Sequence, residues 1–415
     1  MNRDGFDYLI RKPRSVYHVI RNHFWAWIKY RKAADSARSS LRGQSLKADG
    51  HSPAQKKKII VVSHSAVRSG APMLALHIVK ELKKQGWEVF TVLLEPGEMT
   101  SEFFRETPAC WGINRFYLRH WFSELKRKGF KLCLCNSALS GPAAYYAAKN
   151  GMKTISLVHE LPKVLTIMDA YKKAVQSWRW SDKVIFPSSV VKKAFLGYIK
   201  VAADSRAIVM PQGIYHLPAR LLSKDDARRR IEKYLGKKLQ ERLIINIATV
   251  SERKGYDLFL RLSVLCPDSS FLWVGIEKNI YYYQCMKKIS CGKNYAETGF
   301  IRDTDLLYAF YCAADMMILS SREEPMASTV MEALYTGTPV TAFRSSGGVV
   351  DIITDGFNGF LVDEVCPEAL RDKVYEYYRL APQERHLMED NCRRSAAVMN
   401  FGTYVDSIIR FFSGS

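Results

Sequence analysis

The 415-residue sequence lacks the marks of secreted, membrane-spanning and zinc-binding proteins. Its nine cysteines form no paired framework, and neither a Cys-x-x-Cys pair nor a His cluster has zinc spacing, which favours free thiols in a reducing compartment. No apolar run approaches roughly 18 residues and no signal peptide is visible, so we expect a cytoplasmic protein without a membrane span. Acidic residues are also scarce, since 41 Asp and Glu stand against 62 Lys and Arg, a net charge of +21.

The positive charge is unevenly distributed along the chain. Residues 1–58 contain 14 Lys and Arg but only 4 Asp and Glu. Over residues 14–32, aromatic and aliphatic side chains recur at helical spacing among basic ones, and a linker-like segment of residues 33–57 follows. The pattern predicts a basic amphipathic helix that either lies on an anionic membrane surface or packs on protein. We expect no nucleic-acid partner, because no nucleic-acid-binding motif accompanies the charge.

From residue 58 onward, short apolar runs alternate with helical patterns. This alternation predicts parallel βαβ units, and hence an α/β protein. We expect a first domain over residues 58–214, and a second over residues 215–395 that opens with a charged connector. A final helix over residues 396–415 carries an apolar stripe and is expected to pack back on the first domain.

Residues 316–362 carry the clearest functional pattern. Met316–Leu319 reads as a buried strand, a polar loop follows it, and Ser328 or Thr329 offers an N-cap for the next helix. Ligands of an open parallel sheet lie at the carboxyl ends of its strands, and a helix N-terminus attracts anions. Glu324 and Glu332 flank that position, and carboxylates suit sugar hydroxyls. The stretch therefore predicts a nucleotide-sugar site.

Three further segments offer candidate residues at strand-to-helix turns. Lys254, in Ser-Glu-Arg-Lys-Gly, is placed to meet phosphates, although a solvated turn lysine fits the pattern equally well. His159 ends a predicted strand, and either a structural or a ligand-binding role remains open. Gly70 allows close backbone approach to a ligand. The Asp303-Thr-Asp305 triplet suggests metal–nucleotide binding or a helix N-cap, and the helical residues after it favour the cap.

These motifs resemble those of the GT-B glycosyltransferases, specifically the retaining family 4 type. EPMASTVME over Glu324–Glu332 resembles the family's E-x7-E element, and SERKGYD resembles its lysine-bearing element. SGAPMLALHIVKEL, LVHELP and MPQGI resemble its glycine loop, histidine element and entry to the interdomain linker, in that order. The resemblance covers about residues 58–395 and implies two Rossmann-like domains facing across a cleft, with the basic N-terminal helix as an extra.

The resemblance also implies roles for individual residues. Glu324 would contact hydroxyls of the donor sugar, and Glu332 those of the ribose. Lys254 would hold the diphosphate together with the backbone around four consecutive residues, and no metal or other cofactor is implied. Gly70 would close on the phosphates from the other domain, and His159 would lie near the reacting carbon. The four backbone positions are Met326, Ala327, Ser328 and Thr329.

The sequence departs from the family pattern at two positions. Thr249 stands where the family often has an arginine that is shared between the phosphates. Arg253 is the candidate replacement, although adjacent side chains such as Arg253 and Lys254 are expected to diverge. Ala327 stands where glycine is usual, which is a mild change.

The function implied is retaining transfer of a sugar from a nucleoside-diphosphate sugar to a glycan or lipid-linked acceptor. Cell-surface polysaccharide or lipopolysaccharide synthesis, at the inner face of a membrane, would suit the basic N-terminal segment. The motifs do not specify the base or sugar of the donor. The alternatives are a nucleotide-sugar epimerase or phosphorylase of the same fold, and a non-catalytic basic protein that binds membranes or nucleic acid.

Overall fold

The computed structural model describes residues 57–112, 114–275, 280–286 and 291–413, which contain two parallel β-sheets flanked by helices. The predicted basic helix of residues 14–32 and nearly all of the linker lie outside the described residues. The first sheet has the strand order β3-β2-β1-β4-β5-β6-β7, and the second has the order β10-β9-β8-β11-β12-β13. Their strands are β1 Lys58–Ser63, β2 Glu88–Leu93, β3 Ala109–Trp111, β4 Leu132–Asn136, β5 Lys153–Leu157, β6 Lys183–Phe186, β7 Ala207–Val209, β8 Arg242–Ile247, β9 Ser269–Val274, β10 Tyr295–Glu297, β11 Met316–Leu319, β12 Val340–Phe343 and β13 Gly359–Val362.

Helices connect successive strands, as parallel pairing requires. Those associated with the first sheet are α1 Gly70–Lys84, α2 Thr100–Glu106, α3 Arg115–Arg127, α4 Gly141–Lys149, α5 Pro162–Ile167, α6 Tyr171–Arg179 and α7 Ser189–Ile199. Those that follow are α8 Lys224–Leu235, α9 Tyr256–Leu265, α10 Ile280–Met286, α11 Thr304–Ala313, α12 Ser328–Thr336, α13 Pro367–Arg379, α14 Pro382–Ala397 and α15 Phe401–Ser413. Short 3₁₀ turns cover Ala138–Ser140, Arg344–Ser346 and Gly348–Asp351.

The central strands are covered on both faces by helices, which explains their unbroken apolar sequence. All four residues of β11 and of β12 are buried, and so are the last five of β1 and of β8. The α/β architecture predicted from the alternating pattern is confirmed. The β3 strand escaped prediction, because only three residues take part in it and its sequence Ala-Cys-Trp has no recognisable period.

The chain crosses between the two sheets twice. After β7 it passes Ile214 into the connector, and after α14 it returns past Asn400. The Ile214 N–H donates to the Met399 carbonyl at 2.9 Å, so the two crossings run side by side. The last helix, α15, then buries Tyr404, Ile408 and other apolar residues in the same cluster as β1 and α1 of the first sheet.

Helix boundaries correct one expectation and support another. Neither Ser328 nor Thr329 caps α12, because the extended N-cap residue is Ala327, whose methyl side chain makes no capping bond. In contrast, the Asp303 carboxylate accepts a hydrogen bond from the Leu306 N–H at 3.1 Å, which is the N-cap geometry. All nine cysteines are free thiols, and five of them are buried.

Candidate functional site

Each sheet has one point at which the strand order reverses direction. In the first sheet this point lies between β1 and β4, and in the second it lies between β8 and β11. The carboxyl ends of such neighbouring strands open a crevice in which α/β proteins bind ligands. The predicted residues Gly70, Lys254 and Glu324 all lie in loops or helix starts that follow these four strands. His159 follows β5, the next strand along.

Lys254 and Glu324 meet at the crevice of the second sheet. The Lys254 Nζ donates to the Glu324 carboxylate in a hydrogen-bonded ion pair, with side-chain exposures of 15% and 9%. The Arg253 Nη1 lies 3.5 Å from Glu324 Oε2 and also donates to the Glu323 carbonyl at 2.6 Å. The expected divergence of Arg253 from Lys254 is therefore wrong, because both cations reach the same carboxylate.

The loop that carries these cations is shaped by Gly255. This residue has φ +67°, and a Cβ there would collide with the Ser320 carbonyl at the end of β11. The Ser320 hydroxyl donates to the Lys254 carbonyl at 3.0 Å and accepts from the Asn246 amide at 2.9 Å. A glycine after the lysine thus allows the two loops of the crevice to touch.

Glu324 is held from its other side by the two glycines of the Ser-Ser-Gly-Gly segment. Its N–H donates to the Ser346 carbonyl at 2.6 Å, and its carbonyl accepts from the Gly348 N–H at 3.1 Å. A Cβ on Gly347, which has φ +137°, would collide with the Glu324 carbonyl. These contacts explain the glycine pair and fix the backbone from which the Glu324 carboxylate projects.

The N-terminus of α12 follows directly. Because Ala327 makes no side-chain cap, the first-turn N–H groups at Ser328 and Thr329 remain available to an anion. Met326, just before them, is half-buried against the core of the second sheet. Lys254 and the N-terminus of α12 therefore border the same crevice. Glu324 lies between them in the sequence, and its carboxylate contacts Lys254.

Glu332 lies one turn further along α12 and is buried. Its Oε2 accepts a hydrogen bond from the Tyr311 hydroxyl at 2.7 Å. Burial raises the pKa of Glu332 to about 7, against the opposing effect of the Tyr311 hydrogen bond. Burial, followed by the charge of Glu332, raises the pKa of the Tyr215 hydroxyl, and Ser328 opposes this increase. Tyr215 belongs to the connector between the two sheets, so the connector lies close to the helix that carries the predicted anion site.

The first sheet contributes a second polar group around His159. The His159 Nε2 lies 3.0 Å from the Asn136 Oδ1, and the Asn136 Nδ2 donates to the Ala71 carbonyl at 2.7 Å. Burial lowers the pKa of His159, with the Glu160 carboxylate opposing and His64 adding to the decrease. Sequence reasoning missed His64, Asn136 and Glu160, although each lies at or just beyond the carboxyl end of a strand.

Gly70 is the first residue of α1 and directly precedes Ala71. The position is exposed, and a Cβ there would meet no heavy atom within 4 Å. The packing around Gly70 therefore does not demand glycine, and the close approach of a ligand to its backbone stays a prediction.

The loops of the two sheets also touch each other. Asp351 accepts hydrogen bonds from the Ser189 N–H and, at 2.7 Å, from the Ser189 hydroxyl. The Ser188 hydroxyl donates to the Pro325 carbonyl at 3.2 Å, one residue beyond Glu324. The loop after β6 thus contacts the loop after β11, which carries Glu324.

The described residues contain neither a group of metal ligands nor a membrane-spanning helix. No three His, Cys, Asp or Glu side chains in that part of the chain are grouped to hold a metal ion. No helix within it is long and apolar enough to cross a membrane.

Two long parts of the chain match known protein families. Residues 227–394 match the family model for glycosyl transferases group 1, and residues 68–216 match that for Glycosyltransferase Family 4. A sulfoquinovosyl transferase of Arabidopsis thaliana is 27% identical over 141 residues, 32% of this chain and only 27% of that relative's length.

Solved structures show the fold over most of the chain. Anabaena HepE, solved in complex with UDP and glucose, superposes with a TM-score of 0.72 at 17% identity, covering 86% of this chain and 100% of HepE. WaaG, a glycosyltransferase involved in lipopolysaccharide biosynthesis, has a TM-score of 0.63 at 14% identity, covering 86% and 100%.

Proposed function

Because the chain belongs to the group 1 glycosyltransferases of the GT-B fold, we propose that it transfers a sugar from a nucleoside-diphosphate sugar to an acceptor with retention of configuration. The observation that carries this proposal is the contact of Lys254 and Arg253 with Glu324 at the mouth of the second crevice. A donor places anionic phosphates beside sugar hydroxyls, and this group offers cations beside a carboxylate.

When the donor binds, Lys254, Arg253 and Glu324 would exchange their contacts with one another for contacts with the donor. Its diphosphate would take Lys254 and Arg253, together with N–H groups near Ser328, which leaves Glu324 to accept hydrogen bonds from the sugar hydroxyls. Glu332 would accept from the ribose, with Tyr311 holding its other oxygen. The N–H groups at Ala327 and Thr329 and the backbone at Gly70 would complete the phosphate site, with Met326 at its edge.

Catalysis would rest on stabilising the leaving group. The diphosphate gains negative charge as the glycosidic bond breaks, and fixed cations and amides aimed at that charge lower the barrier without reorganising. Lys254 and Arg253 supply the cations, so we propose a reaction that needs no metal. We infer attack on the donor face from which the diphosphate departs, with His159 binding hydroxyls near the reacting carbon.

Substitution of Glu324 by alanine tests the donor site. E324A should lose transfer activity and the thermal stabilisation produced by the correct donor among UDP, GDP, ADP and dTDP sugars. Glu323, its half-buried neighbour, provides the matched control, because E323A removes a carboxylate of the same size one residue away. Near-normal turnover in E324A would contradict the assignment, and an inverted product configuration by NMR would contradict retention.

The charge of the first domain indicates the acceptor. Residues 59–216 contain 22 Lys and Arg but 11 Asp and Glu, whereas residues 217–415 contain 26 of each. All of the excess charge outside residues 1–58 therefore belongs to the domain opposite the donor site. This asymmetry favours an anionic acceptor or an anionic surface beside it.

An exposed apolar turn lies on the same domain. Ile167 is 75% exposed, and Met168 and Tyr171 are also exposed where α5 meets α6, eight to twelve residues after His159. Lys163 and Lys172 are exposed on either side. Apolar tips between lysines suit the interface of an anionic membrane. We therefore propose a lipid-linked glycan as acceptor, in cell-surface polysaccharide or lipopolysaccharide synthesis, with the enzyme peripheral at the cytoplasmic face.

Vesicle binding by the full chain tests this part. An I167S/Y171S double variant should bind vesicles of phosphatidylglycerol and phosphatidylcholine less than the parent, while V398S, at an exposed apolar residue just after α14, should bind normally. Deleting residues 1–50 should weaken binding separately. If neither the double variant nor the deletion changes partitioning, the membrane-linked acceptor is wrong and a soluble glycan replaces it.

A further inference from the structure

Asn136 is a buried residue at the end of β4 that none of the roles above employs. Its side chain bridges the two parts of the first-domain site. The Nδ2 donates to the Ala71 carbonyl at 2.7 Å, and the Oδ1 lies 3.0 Å from the His159 Nε2. The same amide therefore touches the start of α1, beside Gly70, and the imidazole of His159.

The orientation of this amide follows from its neighbours. A backbone carbonyl can only accept, so the NH₂ group of Asn136 must face Ala71, and its oxygen must face His159. An imidazole nitrogen that meets an acceptor oxygen at hydrogen-bond distance must carry the proton. In the neutral ring, the other nitrogen then keeps its lone pair.

We propose that Asn136 is a positioning residue that holds His159 as the Nε2–H tautomer, so that the Nδ1 lone pair accepts a hydrogen bond from a substrate hydroxyl. The identity of the hydroxyl rests on the proposed function, whereas the tautomer of His159 does not depend on it. In this form His159 orients a hydroxyl beside the reacting carbon as an acceptor. The opposite tautomer would present an N–H there and would place two lone pairs, on Nε2 and Oδ1, against each other.

The backbone beneath His159 is held as firmly as its ring. Its N–H donates to a Glu160 carboxylate oxygen at 3.2 Å, and that carboxylate also accepts from the Ala138 N–H at 3.0 Å and from the Ser137 hydroxyl. Glu160 thus holds the backbone of His159 while Asn136 holds its ring.

Charged groups around the His159 imidazole have opposing effects on its pKa. The Glu160 carboxylate favours the imidazolium form, whereas burial and the neighbouring His64 disfavour it. His64 itself faces Glu160, Glu95 and Lys173 and interacts with the Asn136 backbone carbonyl. Burial dominates for both rings and lowers the pKa of each, so the neutral form required here is the one present at neutral pH.

Nitrogen NMR on the full chain measures the tautomer directly. Long-range ¹H–¹⁵N spectra of histidine-labelled protein, assigned with H159Q, should show a protonated Nε2 and an unprotonated Nδ1 for His159. N136A should convert this pattern to a mixture. N136D keeps the oxygen but cannot donate to Ala71, and its negative charge should raise the pKa of His159. A control is N150A, whose amide also donates to a backbone carbonyl, at 2.8 Å, within the same domain.

Kinetics supply the second measurement. N136A should lower kcat about 100-fold, the scale expected when a reacting group loses its orientation, while KM for the donor changes little. N150A should retain parental kcat.

The two proposals fail separately. A parent protein with the Nδ1–H tautomer, or an N136A spectrum identical to the parent's, overturns the role of Asn136 even if transfer activity is intact. Absence of transfer from any nucleotide sugar overturns the proposed function and leaves the NMR result standing.

Discussion

Replacing Glu332 by glutamine should stabilise the protein at alkaline pH and leave its stability in mild acid nearly unchanged. The carboxylate is enclosed, and burial raises the pKa of Glu332 from its ordinary value of 4.5 to about 7, against the Tyr311 hydrogen bond. Glutamine keeps an oxygen for the Tyr311 hydroxyl but has no proton to lose, so the substitution isolates the ionisation.

The magnitude follows from linkage. Between about pH 4.5 and 7 the folded state retains a proton that the unfolded chain has released, so stability falls as the pH rises through this window. A pKa difference of about 2.5 corresponds to a decrease of about 3 kcal/mol in the free energy of unfolding, which is complete above about pH 7 and has not begun below about pH 4.5. E332Q does not show this decrease. The difference in free energy of unfolding between E332Q and the parent should therefore grow by about 2 to 3 kcal/mol between pH 5 and pH 8.

Urea unfolding of the two proteins across that range is the appropriate assay. E364Q, which neutralises an exposed carboxylate of the same domain, should follow the parent at every pH. If E332Q and the parent show parallel stability profiles, then Glu332 is ionised in the folded protein at little cost, and the reasoning from burial is wrong.

The remaining predictions concern the same crevice. Y311F should raise the pKa of Glu332 further, because the lost hydrogen bond favoured the carboxylate, and the decrease in stability should therefore continue to a higher pH than in the parent. Donor affinity should increase as the pH rises through about 7, with proton release measurable by calorimetry in two buffers, since ribose hydroxyls donate to the ionised form. R253L should lower kcat by about 10-fold or more, and an unchanged kcat would exclude Arg253 from the leaving-group site. D351A removes both acceptors of Ser189 and should loosen the contact between the loops of the two sheets, so the free variant should have a larger radius of gyration than the parent by small-angle scattering. Identical scattering profiles for the variant and the parent would show that this contact does not hold the two sheets together.

Local patterns predicted most of the second half of the site. The apolar run before Glu324, the helix-forming residues after it and Gly337 at the helix end are signals carried by neighbouring residues, and β11, α12 and β12 follow them closely. The cap was predicted wrongly, because Ser328 and Thr329 are good capping residues by type and only the backbone reveals that Ala327 occupies the position.

The first half of the site was harder to predict. His159 was recognised as a candidate from its place after a strand, yet nothing in the sequence connects it with Asn136, 23 residues earlier, or connects Asn136 with Ala71, 65 residues earlier still. Such pairs arise where neighbouring parallel strands end together, and strand order is not encoded in any local period.

The sequence by itself determined the alternation of strands and helices, the glycines that turn the crevice loops, and the Glu324–Glu332 segment that leads into α12. Hydrophobic period, capping chemistry and backbone freedom act over a few neighbouring residues, so they can be read locally. Only the tertiary structure decided that Arg253 and Lys254 share Glu324, that Glu332 is enclosed beside Tyr311, and that Asn136 orients His159. Those contacts depend on which strands lie side by side, and burial changes the chemistry of a carboxylate or imidazole only after the chain has closed around it.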